Sequence, residues 1–199
     1  MFQLLLISPP EPVPHEHQLL KALFDAGLTT FHLRKPGASV AEVESYLQAV
    51  PREFHSRIML HQHHALAGQL GLRGVHLPAA ARAVWEGKLG PGQRLSTSLH
   101  SLPELAAAPP RYDYVFLSPI FDSISKAGYR AGFELAELRA ALQGPAQPLV
   151  LALGGVDAAT LPIAQELGFA GAAVLGAVWQ QPNPVAAFRE LQRVATARA

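Results

Sequence analysis

The chain has 199 residues, 49% hydrophobic and 16% charged, which is enough apolar material for a single globular domain with a substantial core. Sixteen basic residues stand against fifteen acidic ones, and a formal charge of +1 supplies no broad field for nucleic acid or an anionic membrane. The lack of cysteine excludes disulfides, thiolate chemistry, Cys-ligated zinc and iron–sulfur clusters.

The first apolar run, Phe2 to Ile7, has no basic residues before it and is stopped by Ser8-Pro9-Pro10, so it reads as a strand and not as a signal peptide. No stretch reaches the roughly 18 apolar residues of a membrane span, and a cytoplasmic protein is expected. Helical spacing over Glu16 to Ala26 leads to a second strand at Thr29 to Leu33, followed by a helix over Val40 to Val50. Arg57 to Leu60 is the third strand, with a helix expected over Gln62 to Leu70. Gly74 to Leu77 is the fourth, followed by about two helical turns over Ala79 to Trp85 and a turn at Gly90-Pro91-Gly92. Strands five to eight are Arg94 to Thr97, Tyr114 to Leu117, Pro148 to Leu153 and Gly171 to Leu175. Their intervening helices fall on Leu102 to Ala107, Leu135 to Leu142 and Thr160 to Leu167. A closing helix over Pro184 to Ala199 carries Val185, Phe188, Leu191 and Val194 on one face.

Runs such as Leu149-Val150-Leu151-Ala152-Leu153 show no polar alternation, so both faces of the sheet are expected to be buried. Eight strand–helix units of about 25 residues use up the whole chain, which favours a compact (β/α)8 barrel as one domain over residues 1–199. In that architecture the reactive groups gather at the C-terminal ends of the strands. The residues expected there are His32 and Arg34, His61 to His64, His76, Ser98 and His100, Ser118 to Lys126, Gly154-Gly155 and Gly176. Hydroxyls, glycines and cations outnumber carboxylates, which suits an anionic ligand. Gly154-Gly155 and Gly176 would bring backbone N–H groups close to a phosphate, and Lys126 would supply a point charge to a second anionic group.

Nine histidines raise the question of a metal, above all His61, His63, His64 and His76 at neighbouring strand ends. No carboxylate accompanies them to act as base or orienting partner, so no metal site is expected from these histidines. A Ser98–His100 nucleophile pair lacks an acid to orient its imidazole.

The order of these motifs resembles the thiamin phosphate synthase and thiazole tautomerase family of barrels over nearly the whole chain. The residues that carry the resemblance are Phe31-His32-Leu33-Arg34, Gly74-Val75-His76-Leu77, Ser96-Thr97-Ser98-Leu99-His100-Ser101, Asp113-Tyr114-Val115, Ser118-Pro119-Ile120-Phe121 with Ser123, Ser125 and Lys126, Leu153-Gly154-Gly155-Val156, and Gly171-Ala172-Ala173-Val174. The resemblance implies a transferase that joins a pyrimidine pyrophosphate to a thiazole phosphate and releases pyrophosphate. Gly155 and Gly176, with Gly154, would bind the thiazole phosphate. Arg34, Ser98 and Lys126 would hold pyrophosphate, with Lys35 as a further cation, and Ser123 and Ser125 would add hydroxyls. Mg2+ is the implied cofactor, yet the family's acidic positions for it hold His61-Gln62 and Ala81 in this chain. A thiazole phosphate tautomerase, with His32 or His61 as the acid–base group near neutral pH, is the alternative, as is a non-catalytic binder of the phosphorylated ligand. The partners expected are phosphorylated small molecules, with neither nucleic acid nor membrane, and a homodimer is compatible with so small a barrel.

Overall fold

The structure is a computed structural model that describes residues 2–121, 132–143 and 148–197. Eight parallel strands close into a barrel in the order of the sequence: β1 (Gln3–Ile7), β2 (Phe31–Leu33), β3 (Ile58–Leu60), β4 (Gly74–Leu77), β5 (Arg94–Leu99), β6 (Tyr114–Leu117), β7 (Leu149–Leu153) and β8 (Gly171–Val174). The helices between and after them are α1 (Glu16–Asp25), α2 (Val40–Gln48), α3 (Ala65–Gln69), α4 (Leu102–Ala106), α5 (Leu135–Leu142), α6 (Leu161–Leu167), α7 (Gly176–Trp179) and α8 (Pro184–Thr196). Among the described residues no helix is long and apolar enough to cross a membrane.

Local signals explain where the helices start. Ser39 and Glu42 form a reciprocal capping box at the head of α2, and Asn183 accepts from the Ala186 N–H ahead of α8, where Pro184 takes a position that needs no donor. Apolar side chains then divide between two cores. The larger lies between strands and helices and includes Leu6, Leu20, Phe24, Leu33, Leu47, Leu117, Leu138 and Phe188. The smaller fills the barrel with Leu5, Ile7, Met59, Tyr114, Phe116, Leu151 and Ala173. Alternate residues of one strand serve the two cores, as the two-residue period of a strand requires.

The barrel closes where β1 pairs with β8, from Gln3 opposite Gly171 to Leu6 opposite Val174. A Cβ at Gly171 would press into the Gln3 carbonyl, so glycine is needed for this approach. The Trp179 indole donates to the Ile7 carbonyl at 2.8 Å and fastens the same seam from above.

Three expectations change. The unit after β4 forms only a 3-10 turn over Ala79–Ala81, because alanines offer no large apolar face to dock. The helix expected from Gln62 begins at Ala65, because His63 takes a left-handed φ of 52° that interrupts helical geometry. Strand β5 runs on to Leu99, two residues past the expected end, and Thr97 and Ser98 pair with β6 at Val115 and Phe116.

Candidate functional site

His32 in β2 and His76 in β4 point into the barrel, with 0% and 2% of their surface exposed. His61 follows β3 directly and is half-buried at the C-terminal rim. The three imidazoles meet. His32 Nδ1 lies 2.9 Å from His61 Nε2, the rings of His61 and His76 stack with centroids 4.1 Å apart, and one nitrogen from each of the three falls within 4.8 Å of the others.

Hydroxyls hold the remaining nitrogens. The Tyr114 phenol from β6 sits 2.6 Å from His32 Nε2, and His76 lies between Ser96 Oγ, 2.9 Å from Nδ1, and Ser98 Oγ, 3.0 Å from Nε2. Ser96 also faces the Tyr114 phenol, so a continuous network crosses the barrel from Ser98 to His61. Phe116 packs against it with its ring centroid 4.8 Å from His32 and 5.1 Å from His76.

No carboxylate enters this network among the described residues, and the electrostatics follow from that. Burial, and then the charge of His76 and Arg73, hold His32 well below the usual imidazole range. Burial also depresses His61, assisted by His76, His32, Arg34 and His64. His76 is lowered to about 3 by burial, with smaller contributions from His64 and Arg34. Burial raises the Tyr114 phenol, so it keeps its proton. At neutral pH the cluster is therefore uncharged, with lone pairs available on its rings.

The other expected residues sort by depth. Arg34 is exposed at the end of β2, its backbone N–H and carbonyl both bonded to the Ser8 hydroxyl. Its guanidinium charge is felt at His61 and His76. Lys35 is not a free cation at the rim: its ammonium pairs with Glu16 at 2.8 Å and donates to the Pro9 carbonyl in a buried setting. Ser98 is half-buried against His76, while His100 turns to Ser118, so Ser98 and His100 form no dyad. His63 and His64 turn away to the carbonyls of Ala38 and His76. Of the histidines considered together for a metal, His61 and His76 converge, and His32 takes the place of the other two. Ser123, Ser125 and Lys126 lie outside the described residues.

Across the mouth, β7 ends in Gly154 and Gly155, with φ of 92° and 65°. Both lie in the left-handed region that favours glycine. A Cβ at Gly154 would come within 3.0 Å of Pro119, so this residue serves the packing of the loop after β6. At Gly176 a Cβ would meet only the flexible end of Gln180. Pairing of Leu153 with Ala173 sets the Gly154-Gly155 loop beside the turn from β8 into α7.

Sequence reasoning missed Tyr114 as a member of the site and read Ser96 only within a strand-end motif, whereas the structure buries it inside the barrel. Their signal was strand alternation: a phenol at the inward position two residues before Phe116, and serines at 96 and 98 on one face of β5.

A closed parallel barrel whose polar side chains and strand-end glycines gather at the C-terminal mouth has the architecture of the (β/α)8 enzymes. The chain belongs to the thiamine monophosphate synthase family, whose model matches residues 4–178. A thiamine-phosphate synthase of Chlamydia caviae is 28% identical over 201 residues, covering 97% of this chain and 94% of the relative, and that of Cronobacter sakazakii is 29% identical over 194 residues, covering 86% and 89%. The crystal structure of thiamine phosphate pyrophosphorylase from Bacteroides thetaiotaomicron superimposes with a TM-score of 0.84 at 30% identity, covering 100% of both chains. A thiamine phosphate pyrophosphorylase from Pyrococcus furiosus, at 20% identity and a TM-score of 0.78, shares the fold.

Proposed function

We propose that this chain is a thiamin phosphate synthase-type transferase. It breaks the carbon–oxygen bond of a pyrimidine pyrophosphate, lets pyrophosphate leave with the electron pair, and joins the resulting cation to the ring nitrogen of a thiazole phosphate. The protein's share of the work is to hold both ligands in line and to stabilise the departing charge. The observation that carries this reading is the consecutive left-handed glycine pair after β7 beside the β8–α7 turn. It supports Gly155 and Gly176 as the backbone cradle of the thiazole phosphate, with Gly154 shaping the loop. Arg34 and Ser98 lie across the mouth from the glycines, on the ends of β2 and β5, and they would hold pyrophosphate together with Lys126, Ser123 and Ser125. His61 lies on the same side as Arg34 and Ser98, at the end of β3. His32 reaches the mouth only through His61 and acts as its positioning residue.

Mg2+, which the family implies, was tested against the donors present. It takes oxygen ligands in octahedral array and usually one or two carboxylates, whereas the cluster at the mouth offers imidazole nitrogens and neutral hydroxyls. Gln62 turns its amide to the Lys35 carbonyl, and Ala81 has no donor side chain. Among the described residues this donor set does not fit Mg2+, and no step is routed through it. Tautomerase chemistry through His32 or His61 is disfavoured for a different reason. Both rings are held well below the neutral range and would be weak bases at pH 7.

The test is turnover of the two substrates, following thiamin phosphate and released pyrophosphate. Gly155→Val should lower thiazole phosphate affinity by about 100-fold or more, as expected from the loss of about two charge-assisted hydrogen bonds. Normal affinity in that variant, or no pyrophosphate release by the wild type, would overturn the assignment. Lys126→Ala should weaken pyrophosphate more than thiazole phosphate, and equal losses would refute the division of the mouth between them.

A further inference from the structure

We propose that His32, His61 and His76 form a binding site for a borderline divalent transition-metal ion of the Zn2+ class, with one coordination position turned to the barrel mouth. Three imidazoles from consecutive strand units of one barrel, β2, β3 and β4, meet with their nitrogens within 4.8 Å of one another. Zinc binds imidazole nitrogen at about 2.0–2.1 Å, which places tetrahedral donors about 3.4 Å apart. The 2.9 Å separation of His32 Nδ1 and His61 Nε2 and the 4.8 Å limit of the cluster bracket that value, so small side-chain rotations suffice.

The partners of the outer nitrogens settle which atoms face the ion. Metal-bound imidazoles as a rule donate their other N–H to an oxygen, which fixes tautomer and ring orientation. Tyr114 is placed to accept from His32 Nε2, and Ser96 to accept from His76 Nδ1. That leaves His32 Nδ1, His61 Nε2 and His76 Nε2 to converge on the ion. His76 Nε2 gives up its contact with Ser98, whose hydroxyl is then available beside the fourth position. Phe116 supplies an apolar wall against His32 and His76.

Ligand chemistry selects the ion. Three nitrogen donors suit zinc, cobalt, nickel or copper and discriminate against Mg2+ and Ca2+, which prefer oxygen. Neutral ligands leave the ion its full double charge, and Arg34 is close enough to add to the field, so the open position favours an anionic oxygen such as that of a phosphate. Only this last step rests on the transferase reading; metal binding does not.

The experiment uses the full chain freed of metal with a chelator. It is titrated calorimetrically with Zn2+ and separately with Mg2+, while Co2+ is followed by its visible absorption. One equivalent of Zn2+ should bind, Co2+ should give the intense bands of a four-coordinate site, and Mg2+ should not compete. His61→Ala should weaken Zn2+ by about 100-fold or more, and Tyr114→Phe by about 10-fold, the scale of losing a ligand and an orienting partner respectively. His63→Ala, which alters a ring bonded to Ala38 outside the cluster, should bind as the wild type does. Gly155→Val should also keep its Zn2+ affinity, which separates failure of the phosphate cradle from failure of the metal site. Should His61→Ala fail to fold, nitrogen-15 spectra of the wild-type histidines decide: Zn2+ should shift three of the nine rings. Failure to take up Zn2+, undiminished affinity in folded His61→Ala, or shifts confined to other histidines would overturn the proposal.

Discussion

The two sides of the barrel mouth present polar groups by different means. On the β7–β8 side the candidate polar surface is backbone, exposed by Gly154, Gly155 and Gly176, and its conformation is fixed locally by φ values of 92° and 65° at the first two. On the β2–β5 side the polar surface is made of side chains, and His32, His61, His76, Ser96 and Ser98 depend on one another across four strands. A backbone site tolerates change in its surroundings so long as glycine remains. A buried side-chain network has no spare partner, and each loss leaves a polar atom without its bond.

Acid should break the comparison most sharply. Each of the three imidazoles has a folded-state value below its unfolded one, so the unfolded chain binds more protons in the window between them. The stability these rings contribute is full above the unfolded value near 6.5 and is lost as pH falls through that window, down to about 3 for His76. For His76 the loss is on the order of 5 kcal/mol across the whole window, with His32 and His61 acting in the same direction. Urea unfolding of metal-free protein between pH 7.5 and 4.5 measures it, and a His76→Gln variant should show a flatter slope. An equal slope would show that these rings do not govern the acid limb.

Next in size is the buried pair just behind the mouth. Lys35→Met strands Glu16, which also accepts from the Tyr46 phenol, and should lower stability by about 3–5 kcal/mol, read from denaturant midpoints. Retained stability would return Lys35 to the set of ligand-binding cations. Tyr114→Phe should lower stability by about 1–3 kcal/mol by leaving His32 Nε2 and Ser96 under-satisfied, while thiazole phosphate affinity at the glycine side stays unchanged. The smallest effect is expected for Gly176→Ala. Its Cβ meets only the end of Gln180, so stability should shift by less than about 1 kcal/mol, the usual scale of a glycine-to-alanine change. A much larger loss would mean that the β8–α7 turn is as tightly determined as the imidazole side.

This contrast also explains what could be read from the chain alone. Strands β6 and β7 were legible because unbroken apolar runs such as Val115-Phe116-Leu117 must be buried on both faces. The glycine pair after β7 was legible because its requirement is local. Strand β5 was cut short at Thr97 because Ser98 looks like loop chemistry until its partner, the His76 ring, is known to lie inside the barrel. The start of α3 was misjudged because nothing in His61-Gln62-His63-His64 announces a left-handed residue. Convergence of His32 with His76 depends on the stagger of β2 to β4, which is set by pairings such as His32 with Met59 and Met59 with Gly74. Lys35 was misplaced for a similar reason: its acid, Glu16, is 19 positions earlier in another element.

The seam between the first strand and the last has a consequence for how the molecule comes into being. Gln3 finds its neighbour only at Gly171, and the indole that latches Ile7 is 172 positions further on. During synthesis β1 therefore leaves the ribosome with one edge unsatisfied, and the cylinder cannot shut until β8 and the indole behind it have emerged.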